Sequence, residues 1–403
     1  ARFHFMVPFS YTSSLRRSHS GFTLRSFVVV GVLVSNFSMC VCVQGARESG
    51  WVKSGSEEYA GQSMLSLLRR GIPRTSPQTQ HDEAQAHMQQ ARAIVMPGEG
   101  WTYAYEPIML PLPAEQDNSV NVSNAHGIEV FPNGNIVVTY QDGSDESKCL
   151  LKWERGAYHR PAKLIGPGAQ LCKGVPHGLR AAQEDGGLYL YHANNQQSLH
   201  KTLSNGTVVW QDLGPPAGAS VPFMPTWHDA QPGSPYVYLA DGYGSSRIYV
   251  YTREGRYTGQ FFGGAGTDHG KFSTCHAITW DWRSSEFVVS DRENHRLEWF
   301  AVNASDPSVF EYKRTLSAES IGIQRPCNVR VRSPDGVAIV PALEGNVAIV
   351  DRSNRVLSLV NVSGSDIGPS GWLHPHDAFL LPNDDFVLVT WLPGRIGYFR
   401  RMR

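Results

Sequence analysis

A segment of about 50 residues recurs six times over residues 100–403, and this period limits the fold more than any other feature of the sequence. The copies align on six positions that we call the register residues: His126, His177, Thr226, His276, Cys327 and His376. Successive register residues are 51, 49, 50, 51 and 49 positions apart. Such a repeat, built from short strands, is typical of a β-propeller in which each copy forms one blade. The sequence therefore predicts an all-β, six-bladed propeller.

Each copy has the same internal pattern. A strand begins at the register residue, a turn such as Pro132-Asn133-Gly134 follows, and an apolar second strand comes next, as in residues 136–140. The last copy ends after its third strand, which would leave an open sheet edge. We predict that residues 102–112 supply the missing outer strand and close the ring.

Composition agrees with this prediction and excludes one function class. Gly (39 residues) and Pro (25 residues) are frequent, which favours many short strands joined by turns over a helical bundle. Basic and acidic residues are equal in number, 36 of each, so a nucleic-acid binder that relies on bulk positive charge is disfavoured.

The N-terminal quarter has a different character. Arg16, Arg17 and Arg25 precede an apolar run at residues 27–43, which predicts a secretory signal peptide or signal-anchor over residues 1–46. The alternative is a buried core helix. Residues 47–99 are rich in Ser, Gln, Glu and Arg, and we interpret them as a largely disordered linker before the propeller at residues 100–403.

Sequons and cysteines also favour the secretory pathway, with a secreted or lumenal glycoprotein that touches a membrane only if the N-terminal segment stays uncleaved. Four Asn-x-Ser/Thr sequons occur, at Asn121, Asn205, Asn303 and Asn361. In an oxidising compartment, Cys149 and Cys172 can bridge neighbouring strands.

Three register histidines predict a zinc site. In a propeller the start of each innermost strand faces the central channel, and His177, His276 and His376 belong to alternate copies. Three imidazoles with an open fourth position are a common arrangement for catalytic zinc. The alternative is that each histidine only hydrogen-bonds neighbouring backbone. His126 breaks the three-fold pattern, and we interpret it as a substrate contact or a support for the ligands.

Three further residues are candidates for metal binding or catalysis. Asp377, with the backbone carbonyls of Leu179 and Ile128, would suit a structural calcium ion, although a plain strand-capping role is the alternative. Tyr243 and Arg292 occupy equivalent turns after the second strands of two consecutive copies. A tyrosine beside a metal and a cation can have a lowered pKa and act as a base. Loop hydrogen bonding is the alternative for Arg292.

These residues together resemble a known family, the peptidyl-α-hydroxyglycine α-amidating lyases, whose fold is a six-bladed propeller of NHL type. The resemblance covers roughly residues 100–403. It rests on VPHGL (175–179), ADGYGSSRI (240–248), the segment around His276, SDRENHRL (290–297) and HPHDA (374–378).

The resemblance implies a zinc-dependent carbon–nitrogen lyase. Zinc would be held by residues matching His177, His276 and His376, with Tyr243 as base and Arg292 stabilising developing charge. A structural calcium would be held by Asp377 and by the carbonyls of Leu179 and, less closely matched, Ile128. The substrate would be a small peptide ending in α-hydroxyglycine, and the products a peptide amide and glyoxylate.

Two substitutions depart from the family pattern. Gln141 stands where the family has an active-site arginine, and a glutamine cannot clamp a carboxylate bidentately. We predict Gln141, with His126, as a substrate contact. Gly244 follows Tyr243 where the family has a cysteine. No copper-binding monooxygenase half lies in this sequence, so the resemblance implies a separate hydroxylating enzyme as partner.

Two other functions stay open. The first is a related metallo-propeller hydrolase acting on a lactone or ester, which the Gln141 change and the additional His126 suggest. The second is a non-catalytic binding module of NHL type. A module of that kind would have no need for Tyr243, Arg292 and three channel histidines together.

Overall fold

The computed structural model describes residues 29–35, 38–44, 100–113, 120–166, 169–196, 198–219, 222–364 and 371–402. Two compact units divide the chain, residues 1–74 and 75–403, and each is described by itself. The predicted linker at residues 47–99 and most of the predicted leader lie outside the described residues. These two predictions are therefore not tested.

In the first unit the apolar run forms a pair of antiparallel strands, β1 (Val29–Ser35) and β2 (Ser38–Gln44). The core helix considered as an alternative for this run is therefore not what the structure has. Within the described part of the chain, no helix has the length and hydropathy needed to cross a bilayer.

The second unit is an all-β, six-bladed propeller, as the repeat predicts. Each blade is a four-stranded antiparallel sheet. Blades 1 to 3 consist of β4 (Val122–Val130), β5 (Ile136–Asp142), β6 (Leu150–Trp153) and β7 (Lys163–Leu164); β8 (Pro176–Glu184), β9 (Gly187–Asn194), β10 (Ser198–Leu203) and β11 (Val208–Leu213); and β12 (Trp227–Asp229), β13 (Tyr236–Asp241), β14 (Arg247–Thr252) and β15 (Tyr257–Gly263).

Blades 4 to 6 follow the same order. They consist of β16 (Cys275–Asp281), β17 (Glu286–Asp291), β18 (Arg296–Val302) and β19 (Phe310–Ser317); β20 (Arg330–Val331), β21 (Ala338–Pro341), β22 (Asn346–Val350) and β23 (Val356–Asn361); and β24 (Pro375–Leu380), β25 (Phe386–Thr390) and β26 (Arg395–Met402), completed by β3 (Thr102–Tyr105). The described helical elements are short: α1 (Ala169–Cys172) and 3-10 turns at Arg292–Asn294 and Ala318–Ile321.

The sixth blade joins the two ends of the propeller unit. β3, from the beginning of residues 102–112, pairs antiparallel with β26, with Tyr105 opposite Phe399 and Thr102 opposite Met402. Because β26 thereby gains a partner along its outer edge, the sixth sheet has four strands, as each of the other five has.

The innermost strands pack side by side around the axis. β4 packs against β8 and β24, β12 against β8 and β16, and β20 against β24. Glycine permits this close approach at two positions that directly follow register residues. A Cβ on Gly127 would lie 2.8 Å from the His177 carbonyl oxygen, and one on Gly178 would lie 2.7 Å from that of Thr226. Side chains larger than hydrogen at these sites would push neighbouring blades apart.

Aromatic side chains fill the space between blades. Between blades 3 and 4, for example, Trp227, Tyr238, Phe287 and Phe300 belong to one buried cluster. Offset and edge-on ring contacts of this kind add to the free energy gained from burial. This packing holds the innermost strands of neighbouring blades together.

Cys149 and Cys172 form a disulfide, with their Cα atoms 5.1 Å apart. Cys149 immediately precedes β6 and Cys172 ends α1, so the bridge joins blade 1 to the connection leading into blade 2 and does not join two strands. Cys275 and Cys327 are buried free thiols.

Candidate metal centre

Four register histidines meet where the innermost strands of their blades come together. His126, His177, His276 and His376 are at most 2 % exposed. The centroids of neighbouring rings lie 4.4 to 5.1 Å apart. The three histidines predicted as zinc ligands are therefore mutual neighbours, and His126 completes the cluster.

Backbone carbonyls fix the tautomer of two of these rings. The Nδ1–H of His177 donates to the carbonyl of Thr226, and the Nδ1–H of His276 donates to that of Cys327, both at 2.6 Å. Thr226 and Cys327 are the register residues of the next blades. Because Nδ1 carries the proton, Nε2 of each ring keeps its lone pair for a ligand.

The remaining ring nitrogens meet the requirements of a metal site. His177 Nε2, His126 Nδ1 and His376 Nδ1 are buried and have no hydrogen-bond partner. Burial lowers the pKa of His126 to about 3 and holds the pKa values of the other three rings well below the ordinary range. Neutral imidazoles with unused lone pairs are the donors that Zn²⁺ prefers, so these residues fit the ion.

Two overlapping groups of donor atoms are compact enough to hold an ion. One contains His126, His177 and His376, and the other contains His276, Cys327 and His376, with the donor atoms of each group within 4.8 Å of one another. The predicted trio is thus split between two groups that share His376. Sequence reasoning assigned neither His126 nor Cys327 to the metal, although both are register residues and the repeat had already placed them beside the channel.

Tyr243 and Arg292 come together at this cluster. The Tyr243 hydroxyl lies 3.0 Å from His276 Nε2 and 3.5 Å from His376 Nε2. Arg292 Nη1 donates to the Tyr243 oxygen at 3.1 Å, and its Nε donates to Glu293 at 2.8 Å. The phenol is therefore held between a cation and two imidazoles. We call these four histidines, Cys327, Tyr243 and Arg292 the histidine centre.

A buried aspartate anchors each of the loops that carry Tyr243 and Arg292. Asp241 accepts hydrogen bonds from the backbone N–H of Met224 and of Ser245. Asp291, in the next blade, accepts from the backbone N–H of Ser273 and from the side chains of Asn294 and Arg296. The same residue type at the end of the second strand thus positions both loops.

Steric contacts explain why position 244 is a glycine. A Cβ at this position would overlap the Asp241 carboxylate and the Pro222 carbonyl. The loop as folded leaves no space for the cysteine that the resembled family carries beside its tyrosine.

The acidity of Tyr243 differs from the sequence-based expectation. Burial raises the pKa of Tyr243 to about 12, while the neighbouring Arg292 guanidinium acts in the opposite direction. The expected lowering does not occur in the protein alone because the loss of hydration outweighs one cation.

Gln141 makes local contacts. Its side-chain oxygen accepts a hydrogen bond from the Asn124 amide, and its backbone carbonyl accepts one from the Ser123 hydroxyl at 3.0 Å. These contacts leave its predicted role as a substrate contact untested.

A second polar centre lies farther along the same innermost strands. The guanidinium of Arg330, which opens β20, donates from Nη2 to Asp377 at 2.7 Å, to the Leu179 carbonyl at 3.2 Å and to the Ile128 carbonyl. Its Nε donates to Asp377 at 3.2 Å and its Nη1 to Glu129 at 3.1 Å. We call Arg330, these two carboxylates and these two carbonyls the arginine centre.

The arginine centre lies where the sequence predicts calcium. Asp377 and the carbonyls of Leu179 and Ile128 do converge, but the group they bind is the Arg330 guanidinium. Calcium requires six to eight oxygens at about 2.3–2.6 Å, and the guanidinium occupies the space that such an ion would need. These residues do not fit a calcium ion, and sequence spacing could not reveal how far the Arg330 side chain reaches.

Comparison with known proteins does not assign the chain to a family. The chain matches no protein-family model and no curated protein. Similar solved structures include virginiamycin B lyase from Staphylococcus aureus, with 12% identity and a TM-score of 0.46, covering 70% of this chain and 86% of that one. Another is a proposed 6-phosphogluconolactonase from Bacteroides uniformis, with 12% identity and a TM-score of 0.47, covering 73% and 85%. Similarity this low carries no inference about activity.

Proposed function

We propose that the protein is a zinc-dependent carbon–nitrogen lyase that cleaves peptidyl-α-hydroxyglycine to a peptide amide and glyoxylate. One observation carries the proposal: the Tyr243 hydroxyl is held between the Arg292 guanidinium and the imidazoles of His276 and His376. A structural role for this phenol would not need a cation and several unprotonated imidazoles around it.

His177, His276 and His376 are the proposed zinc ligands. His376 belongs to both compact donor groups. His177 belongs to the group with His126, and His276 belongs to the group with Cys327. When bound, zinc would polarise the substrate hydroxyl as a Lewis acid and draw the pKa of nearby groups downward. His126, stacked on His177 at 4.4 Å, supports the ligand ring or contacts substrate.

Tyr243 moves the proton in the proposed reaction. Its phenolate takes the proton of the substrate hydroxyl as the carbon–nitrogen bond breaks, and the bonding electron pair stays on nitrogen. The proton then passes to that nitrogen, which completes the amide, while the carbon leaves as the aldehyde of glyoxylate. Arg292 stabilises the phenolate oxygen, to which it already donates.

A metallo-propeller hydrolase of lactones or esters is the second candidate. Gln141 favours it because a glutamine cannot pair bidentately with the glyoxylate carboxyl group. In that case Tyr243 and Arg292 would act on the oxyanion formed at an acyl carbon.

The deciding experiment combines metal analysis with an activity assay on the purified full-length chain. We expect about one zinc per chain and glyoxylate release from a peptidyl-α-hydroxyglycine. Zinc without glyoxylate, together with lactone or ester hydrolysis, would support the second candidate. Absence of both zinc and turnover would reject both and leave a binding module.

A lyase of this kind would work in the secretory pathway, on peptides hydroxylated by a separate monooxygenase. The asparagines of all four sequons, Asn121, Asn205, Asn303 and Asn361, are exposed in the structure, which supports this location. The Cys149–Cys172 disulfide is also typical of oxidising compartments.

A further inference from the structure

We propose that the Arg330 guanidinium is the propeller's own central cation, filling a cation site between the blades so that the fold needs no calcium. This inference concerns the arginine centre alone and does not depend on the proposed function. The oxygens that the sequence assigns to calcium contact the Arg330 guanidinium in the structure.

The contacts leave no space for an additional ion. Three nitrogens of the guanidinium donate to two carboxylates and two backbone carbonyls. Asp377 is in addition satisfied by the backbone N–H of Ile128 at 2.8 Å and by the Asn328 amide at 2.8 Å. Calcium would have to displace Arg330 to reach the same oxygens.

Charge and burial explain why a cation is required. The side chains of Arg330, Glu129 and Asp377 are 4%, 7% and 0% exposed. Carboxylates buried this deeply are costly unless a positive charge pairs with them. A guanidinium meets the need because its planar fork reaches several oxygens at once, and the Trp227 ring lies 5.0 Å from it.

The guanidinium also joins blades. Arg330 belongs to blade 5, whereas its acceptors lie on β4 of blade 1, β8 of blade 2 and β24 of blade 6. A single covalently attached side chain thus reaches across the axis to three other blades. A bound ion with the same oxygens would join only those three.

The first test uses the wild-type full-length chain, purified in calcium-containing buffer and then dialysed against calcium-depleted buffer without a chelator. We expect well under one calcium per chain by elemental analysis, and the same Tm with or without added CaCl₂. Stoichiometric calcium, or a Tm that rises by several degrees on calcium addition, would overturn the proposal.

The second test removes the guanidinium. Arg330→Ala should lower the Tm by about 10 °C, because it leaves the buried Asp377 carboxylate without a cation and leaves Glu129 only the more distant Arg180, at 3.7 Å. Added CaCl₂ should restore part of this loss, since the vacated oxygens can then bind a metal. Arg330→Lys, which keeps the charge but not the fork, should fall between wild type and Arg330→Ala.

The matched control is Arg332→Ala, which removes a nearby arginine that pairs with Asp335 and Asp384 away from the axis. Its Tm should not respond to calcium. If Arg330→Ala folds and melts like the wild type, or if calcium leaves its Tm unchanged, the proposal fails. Should Arg330→Ala not fold, the wild-type calcium measurements and Arg330→Lys still decide it.

Discussion

The histidine centre and the arginine centre lie on the same innermost strands but differ in how far their buried polar atoms are hydrogen-bonded. In the arginine centre the guanidinium and the Asp377 carboxylate are surrounded by hydrogen-bond partners, and the Arg330 cation lies between two buried carboxylates. In the histidine centre three buried ring nitrogens have no partner. An unpaired buried polar atom costs free energy unless a ligand satisfies it.

The difference separates stability from function. The arginine centre is complete without any additional group, so its role is to hold blades together. The histidine centre has buried ring nitrogens that can bind a ligand, so it is the place to look for chemistry. His376 and Asp377 are adjacent in β24, yet each belongs to a different centre. Three substitutions and one pH series test this separation, and the substitutions are taken from the largest expected effect to the smallest.

Tyr243→Phe should remove most of the activity and none of the stability. Loss of a proton-transfer group costs about 10²–10⁴-fold in rate, whereas the missing hydroxyl makes no contact with the arginine centre. Glyoxylate release gives the rate, elemental analysis gives the zinc content, and thermal unfolding gives the Tm. Tyr312→Phe, an exposed tyrosine of β19, is the matched control. Full activity in Tyr243→Phe would remove Tyr243 from the mechanism.

Asp377→Asn should show the opposite pattern. It breaks a buried ion pair with Arg330, which should lower the free energy of unfolding by about 3 kcal/mol while zinc content stays at the wild-type level. Denaturant unfolding and metal analysis measure the two quantities. Asp335→Asn, at a partly exposed carboxylate paired with Arg332, should change the stability little. Loss of zinc without loss of stability would contradict the separation of the centres.

Acid should destabilise the metal-free protein through its buried histidines. Burial lowers the pKa of seven of them: His126, His177, His192, His200, His228, His276 and His376. Below the ordinary pKa of about 6.5 the unfolded chain binds protons that the folded chain does not, so stability is full above that pH and falls as pH is lowered.

Each buried histidine contributes up to about 1.4 kcal/mol per pH unit until the folded-state pKa is reached, about 3 for His126. Arg330 stays charged throughout, because Asp377 and Glu129 outweigh its burial and raise its pKa. Urea unfolding at a series of pH values between about 7 and about 4 measures the slope. His126→Gln should reduce the slope and the exposed His159→Gln should leave it unchanged. A flat profile would show that the rings are solvated.

Cys327→Ser should have the smallest effect, less than about tenfold in zinc affinity. Burial raises the pKa of the Cys327 thiol to about 12 although Arg292 opposes it, so we expect the ion to take imidazoles in preference. Cobalt-substituted protein should accordingly lack the thiolate-to-cobalt absorption band. A band that disappears in Cys327→Ser but persists in Cys275→Ser would place the metal in the group containing Cys327.

The sequence predicts one of these centres far better than the other. The period near 50 residues places the register residues, so the propeller fold and the meeting of His177, His276 and His376 follow from spacing alone. The proximity of Tyr243 to Arg292 follows from their equivalent turns in two consecutive copies. The arginine centre was missed because Arg330 lies three residues after the register residue Cys327 and acts through a long side chain that crosses the axis. Periodicity locates Cα positions, not the reach of a flexible side chain.

The pairing of β3 with β26 also has a consequence for how the ring is made. The two strands are separated by nearly the whole propeller, so β3 leaves the ribosome first and waits for a partner that is synthesised about 290 residues later. Until then β3 has no strand partner, and the sixth sheet lacks its fourth strand. The ring therefore cannot close before the last strand is synthesised, and we expect a chaperone that shields β3 during translation to protect an otherwise unpaired strand.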